Sequence, residues 1–211
     1  MQRILCLLAC ALCSMVATAQ AQGRLEALAG NYHSSLPLVG APGLFYKTVH
    51  PGLQVGYEHT LRQAGRRQWL LRAQAGVFYH RFIQTAVPLT AQGVLQWAPS
   101  RKPDARLRLE AGLGLGYCHS FPLTAVFKLQ DNGTYARTER AGRPLVTFSL
   151  APGLAYRLDA ADRWRLALRY QIMLQAPFVP QYVPMLPYNS LQLGLSYRLG
   201  LASALPSTPA Q

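Results

Sequence analysis

Apolar and polar side chains alternate one by one along most of this chain. A period of two is the pattern of a strand with one face against an apolar medium. In residues 106–119, Leu107, Leu109, Ala111, Leu113, Leu115 and Tyr117 share one parity, and Arg106, Arg108, Glu110, Gly112, Gly114, Gly116 and Cys118 the other. Residues 68–82 set Trp69, Leu71, Ala73, Ala75, Val77 and Tyr79 against Gln68, Leu70, Arg72, Gln74, Gly76, Phe78 and His80. Residues 164–176 set Trp164, Leu166, Leu168, Tyr170, Ile172 and Leu174 against Arg165, Ala167, Arg169, Gln171, Met173 and Gln175. Residues 190–199 do the same with Leu191, Leu193, Leu195, Tyr197 and Leu199. Segments 44–61 (Val49, Leu53, Val55, Tyr57), 86–97 (Val87, Leu89, Ala91, Leu95, Trp97) and 145–158 (Val146, Phe148, Leu150, Leu154, Tyr156) complete seven strands. An eighth spans 28–38, with Leu28, Tyr32, Leu36 and Leu38 opposed to Asn31, His33 and Ser35.

The connections differ by side. Residues 62–67, 98–105 and 159–163 are short and polar, whereas 120–143 and 177–187 are longer and fall at the opposite ends, with tighter turns near 39–43 and 83–85. Short turns at one end and longer loops at the other predict an all-β fold, an eight-stranded antiparallel up-and-down transmembrane β-barrel. A soluble barrel would carry its charges outside. Eight apolar stripes cannot all be hidden in a lumen that only just holds its own side chains, so the apolar stripes face lipid and the Gly, Gln and Arg face fills the lumen. Trp69, Trp97 and Trp164, with Tyr156 and Tyr197, lie on the apolar face beside the short turns and predict an interfacial girdle. Ten residues separate Trp69 from Tyr79, the next aromatic on that face. At about 3.3 Å per residue and a tilt near 40° this spans roughly 25 Å, the height of an apolar band.

Composition agrees. Only 14% of the 211 residues are charged, against about 25% in soluble domains, and the aliphatic and aromatic content excludes a disordered chain. No stretch after residue 20 has 18 consecutive apolar residues, so no mature transmembrane helix is expected. The start reads as a secretory signal peptide over 1–21: Arg3, an apolar run from Ile4 to Val16, then Ala-x-Ala sites ending at Ala19 and Ala21. Its removal takes away Cys6, Cys10 and Cys13, leaving Cys118 alone and no internal disulfide. Residues 22–200 are then the barrel and 201–211 a flexible tail. Residues 1–21 hold one of the 21 basic residues and none of the 8 acidic ones, so the remainder carries +12. With no aromatic-basic groove helix, that excess fits no nucleic acid. Arginines at turns and rims suit lipid phosphate and lipopolysaccharide as partners.

The strand pattern, the girdle and the closing segment Gln192-Leu193-Gly194-Leu195-Ser196-Tyr197-Arg198-Leu199 resemble the small eight-stranded outer-membrane β-barrel proteins of Gram-negative bacteria, the OmpA/OmpX-like class. The resemblance covers roughly 25–200. It implies residence in the bacterial outer membrane as a monomer, and the closing segment looks like the signal read by the outer-membrane assembly machinery. In this chain Gly200 to Gln211 follow that segment. The class includes adhesins, anchors and lipid-modifying enzymes, so membership leaves function open.

Candidate chemistry is sparse. Glu58, Arg72, Arg106, Arg108, Glu110, Arg165 and Arg169 share the lumen parity near the short turns and are expected to form an ion-pair plug, because unpaired charges there are costly. Gly112, Gly114 and Gly116 alternate on a strand with no helix after them, which is not a dinucleotide site; they leave room for larger neighbours across the lumen. His50, His80 and His119 fall at the long-loop rim beside Cys118, but their spacing matches no closed zinc pattern, so neither metal nor cofactor is expected. The lipid A deacylases of the class use a His-x-Ser pair on a strand; His33-Ser34-Ser35 has that spacing, and His119-Ser120 are adjacent, but the sequence places no acid beside either. No catalytic residue is assigned. In 126–136, Asn132-Gly133 predicts a hairpin with a type I′ turn, presenting Phe127, Leu129 and Tyr135 to an extracellular partner through loop 120–143. The expected function is a non-enzymatic surface, structural or binding protein; a rim enzyme acting on membrane lipid, or a narrow pore, are the alternatives.

Overall fold

The computed structural model describes residues 23–199 except 37–39, 103–104, 124–125, 132, 139–141 and 179–183. The segments expected to be signal peptide and tail, and Leu38, lie outside the described residues. Among the described residues ten strands form: β1 (Gly23–Ser34), β2 (Pro51–Ala64), β3 (Arg67–His80), β4 (Gln84–Trp97), β5 (Leu107–Pro122), β6 (Val126–Leu129), β7 (Tyr135–Thr138), β8 (Arg143–Arg157), β9 (Trp164–Ala176) and β10 (Leu186–Arg198), with one short helix, α1 (Gly43–Tyr46). Eight of them close into an antiparallel barrel in the order β1-β10-β9-β8-β5-β4-β3-β2, and β6 and β7 make a separate hairpin. Closure is made by β1 on β10, from Arg24 opposite Arg198 to Ser34 opposite Tyr188. No strand of the barrel has a free edge, which a lipid environment demands.

The alternation read from the sequence sets the two faces. Leu53, Val55, Leu113 and Leu115 point outward and are more than half exposed, while Arg72, Gln92, Gln96 and Gln175 point inward and are fully buried. This is the reverse of a soluble domain. A closed barrel with an apolar outer band and a polar interior is the architecture of an outer-membrane protein.

Three elements depart from the sequence expectation. The first strand covers 23–34, not 28–38, and so brings Glu26 into the barrel. The strand expected from residue 44 begins at Pro51. Pro42 and three consecutive apolar residues, Leu44, Phe45 and Tyr46, break the alternation there, and the chain turns into α1 with Leu44 buried. Val49, expected on a strand face, lies in the connection and is 66% exposed. The β1–β2 connection is therefore a long loop and not a tight turn near 39–43. The third departure is the β6–β7 turn. Gly133 alone among the described residues there has positive φ, +78°. Its N–H donates to Gln130 O at 3.0 Å, and Gln130 N–H donates to Thr134 O at 2.8 Å. That is a three-residue loop with glycine in the left-handed position, which asks positive φ of one residue where a type I′ turn asks it of two.

Candidate functional site

The lumen is filled in layers. Nearest the short turns, Arg24 and Arg165 pair with Asp162 of the β8–β9 turn at 2.9 and 2.6 Å. Asp162 holds φ +54°, a conformation aspartate tolerates better than most residues. Burial pushes its carboxyl upward, but the hydrogen bonds and charge of Arg165, then the charge of Arg24, hold it below the ordinary aspartate range. One layer higher, Arg72 donates through Nε to Glu58 at 2.7 Å and through Nη2 to Glu110 at 2.8 Å, and approaches Glu26 at 3.5 Å. Arg169 pairs with Glu26 at 3.1 Å and with Glu110 at 3.5 Å. Gln96 joins the two layers: it donates to Glu110 and accepts from Arg165 at 3.3 Å. The two layers together hold four arginines (24, 72, 165, 169) and four carboxylates (26, 58, 110, 162), a charge-neutral column.

Amides follow. Nine glutamines are buried among the described residues. Gln192 donates to Gln171 at 2.7 Å and to Tyr32 Oη at 3.0 Å, and Gln92 donates to Ser149 at 3.1 Å. Gly112 makes room for this layer: a Cβ on it would come within 3.3 Å of Gln92 Oε1, on the neighbouring strand rather than across the lumen. Above lies an apolar layer of Tyr32, Phe78, Ala86, Cys118, Leu145, Met173, Leu186 and Tyr188. Tyr32 stacks on Phe78 with centroids 4.6 Å apart.

Of the residues expected in the plug, Glu58, Arg72, Glu110, Arg165 and Arg169 are brought together. Arg106 is not: β5 begins at Leu107, and Arg106 is exposed in the preceding turn. Arg108 is half-buried and makes no ion pair with an acid among the described residues. Glu26, Arg24 and Asp162 were not foreseen. Trp69, Trp97, Tyr156, Trp164 and Tyr197 all face outward, between 37 and 49% exposed, and Trp164 packs on Tyr197 at 4.8 Å. Tyr170, which falls between the girdles, donates to Asn189 at 3.0 Å. Tyr135 is 70% exposed; the side chains of Phe127 and Leu129, and Asn132, lie outside the described residues.

At the long-loop rim the histidines sort differently from their sequence levels. His119 points outward to the Tyr117 hydroxyl, 2.7 Å away, while Cys118 is buried in the apolar layer. Ser120 faces the opposite way from His119 and donates to Gln84. Ser35 accepts from Asn189 Nδ2 at 2.8 Å, and His33 Nδ1 has no hydrogen-bond partner. Neither His–Ser pair is therefore set up as nucleophile and base. His33 instead gathers with His50 and His80.

The fold defined by these features is that of the small eight-stranded outer-membrane β-barrels. Neisserial surface protein A superposes with a TM-score of 0.51 at 11% identity, over 83% of this chain and 96% of that one. Ail, the attachment invasion locus protein of Yersinia pestis, gives 0.46 at 9% identity over 83 and 95%, and the outer-membrane enzyme PagL 0.45 at 12% over 81 and 97%. The likeness is one of fold. No family model and no curated protein matches the sequence.

Proposed function

We propose that the protein is a monomeric, non-enzymatic surface barrel of a Gram-negative outer membrane, with a lumen that serves stability and a long connection, 120–143, that serves binding. The observation that carries this reading is the filling of the lumen: ion pairs, amides and apolar side chains succeed one another from the short turns to the rim, and the largest inward side chains are fully buried. A pore needs a continuous water path, and a rim enzyme needs a nucleophile, base and acid in register. Arg24, Arg72, Arg165 and Arg169 are spent on lumen acids. The basic groups left at the loop-side rim, Lys47 and Arg81 among them, suit lipid phosphate and lipopolysaccharide. The segment Gln192–Leu199 is the part offered to the assembly machinery.

Planar-bilayer recording tests the plug. Protein shown to be folded by its unheated gel mobility is expected to give no unitary conductance. A stable open channel from the unmodified chain would sink this reading in favour of the pore.

A further inference from the structure

Three imidazoles converge where β1 and β3 end and the β1–β2 loop enters β2. One ring nitrogen of each of His33, His50 and His80 lies within 4.8 Å of the others. His50, just before β2, and His80, at the end of the adjacent β3, are side by side, their rings 3.8 Å apart and nearly parallel, and only 2% and 5% exposed. Both ring nitrogens of His50 and of His80, and Nδ1 of His33, are buried without a hydrogen-bond partner. Buried imidazole nitrogens are nearly always satisfied, because leaving them bare costs the solvation they gave up. Three imidazoles that each bring one ring nitrogen within 4.8 Å of the others make a donor set of the kind a metal ion needs.

We propose that His33, His50 and His80 bind a divalent transition metal, zinc foremost, as a three-nitrogen site with its fourth position open at the rim. The donor set selects the metal. Imidazole suits Zn²⁺, Cu²⁺ and Ni²⁺, and the absence of carboxylate from the group disfavours Ca²⁺ and Mg²⁺, which want oxygen. Zn–N bonds of about 2.0–2.1 Å place tetrahedral ligand nitrogens about 3.3 Å apart. From their present separation of up to 4.8 Å, the rings would have to rotate inward, with His50 and His80 turning out of their parallel stack, to reach that spacing. Lys47, whose charge acts on His33, and Arg81, whose charge acts on His50, favour an anionic fourth ligand.

The surroundings hold the triad in place. Asn31 donates to Leu44 O of α1 at 2.8 Å and accepts from the His50 N–H at 2.8 Å, pinning the loop at two points. Tyr32 N–H donates to His50 O at 2.8 Å, extending the β1–β2 ladder to His50 itself. Gly43 lies against His33, so close that a Cβ there would be 2.9 Å from its ring carbon. A bound metal would tie the β1–β2 loop to the ends of β1 and β3.

The test uses the folded protein in detergent, without a histidine tag and stripped with chelator. Calorimetric titration with ZnCl₂ is expected to show one site in the micromolar range or tighter, and Cu²⁺ in the same protein to give an electron paramagnetic resonance spectrum with three nitrogen ligands. His50→Ala and His80→Ala are each expected to weaken binding by at least about tenfold, and His59→Ala and His119→Ala to leave it unchanged. Each variant is first checked for the unheated mobility of the folded barrel; His50→Gln and His80→Gln replace any alanine variant that fails this check, with the same expected loss. No saturable zinc binding, a copper spectrum with fewer than two nitrogens, or binding that survives both substitutions together overturns the site.

Discussion

Arg72 is the residue on which most of the lumen depends. It is fully buried and faces three carboxylates, those of Glu26, Glu58 and Glu110, whereas among the described residues Glu58 is paired with Arg72 alone. Removing one partner of a buried pair leaves a charge uncompensated and costs about 3–5 kcal/mol. Arg72→Gln strands three acids with only Arg169 in reach of two of them, and is expected at or above the top of that range. Glu58→Gln keeps a hydrogen-bond acceptor toward Arg72, which retains Glu110 and Glu26, and is expected near or below the bottom. Urea unfolding of the barrel in lipid, followed by tryptophan fluorescence, measures both; equal costs would show that the column is not wired through Arg72. The sequence carried much of this cluster, since inward parity alone selects Arg72, Glu110 and Arg169. It could not carry Glu26, which precedes the clear alternation of the first strand, nor Asp162, which reaches the lumen from a turn where parity has no meaning. His33 was hidden for a related reason. It sits at the ragged end of β1, and only the pairing of β1 with β2 shows that it is beside His50.

At the scale of elements, alternation located all eight barrel strands but not where each ends. β9 runs over Trp164–Ala176, as the pattern has it; β2 is shortened by α1 and carries a register shift between Thr60 and Arg62, so that Leu61 is an extra residue. A bulge or a loop helix depends on local turn chemistry and on what lies across the rim, and neither leaves a period in the sequence. The β6–β7 hairpin was readable because Asn-Gly turns are so distinctive, though the turn formed is the three-residue kind. Among the described residues the hairpin strands pair with each other and with no barrel strand, and β5 and β8 on either side of it are joined to each other from Leu107–Tyr156 to Ser120–Arg143. Deleting 124–138 and bridging with a short glycine linker is therefore expected to leave assembly and the unheated gel shift intact while removing surface binding. Loss of the gel shift would place the hairpin among the elements that build the barrel.

For the whole molecule the decisive property is that inside and outside are exchanged. A soluble protein of this size would unfold if Leu53, Val55, Leu113 and Leu115 faced water and Arg72 and Gln92 faced its core, because both sets of groups would be in the wrong medium. Here the same arrangement is stable only with lipid around the band, and the tryptophans report where that band stops. Trp69, Trp97 and Trp164 all lie on the outer face beside the short turns, each between 38 and 49% exposed. Trp69 pairs with Leu95, Trp97 with Leu109 and Trp164 with Tyr197, so the register of three pairs of strands holds the tryptophans at one level. An indole ring at that level keeps its apolar body in the chains and its N–H in the headgroups. In vesicles, lipids brominated close to the headgroup are therefore expected to quench most of the tryptophan emission, and lipids brominated near the chain ends little of it. Strong quenching from the bilayer centre would mean that the band is displaced along the barrel by several residues. A monomer that stays soluble and folded without detergent would mean that the outer face has another partner than lipid, and the inverted pattern of burial would then need that partner to cover it on every strand.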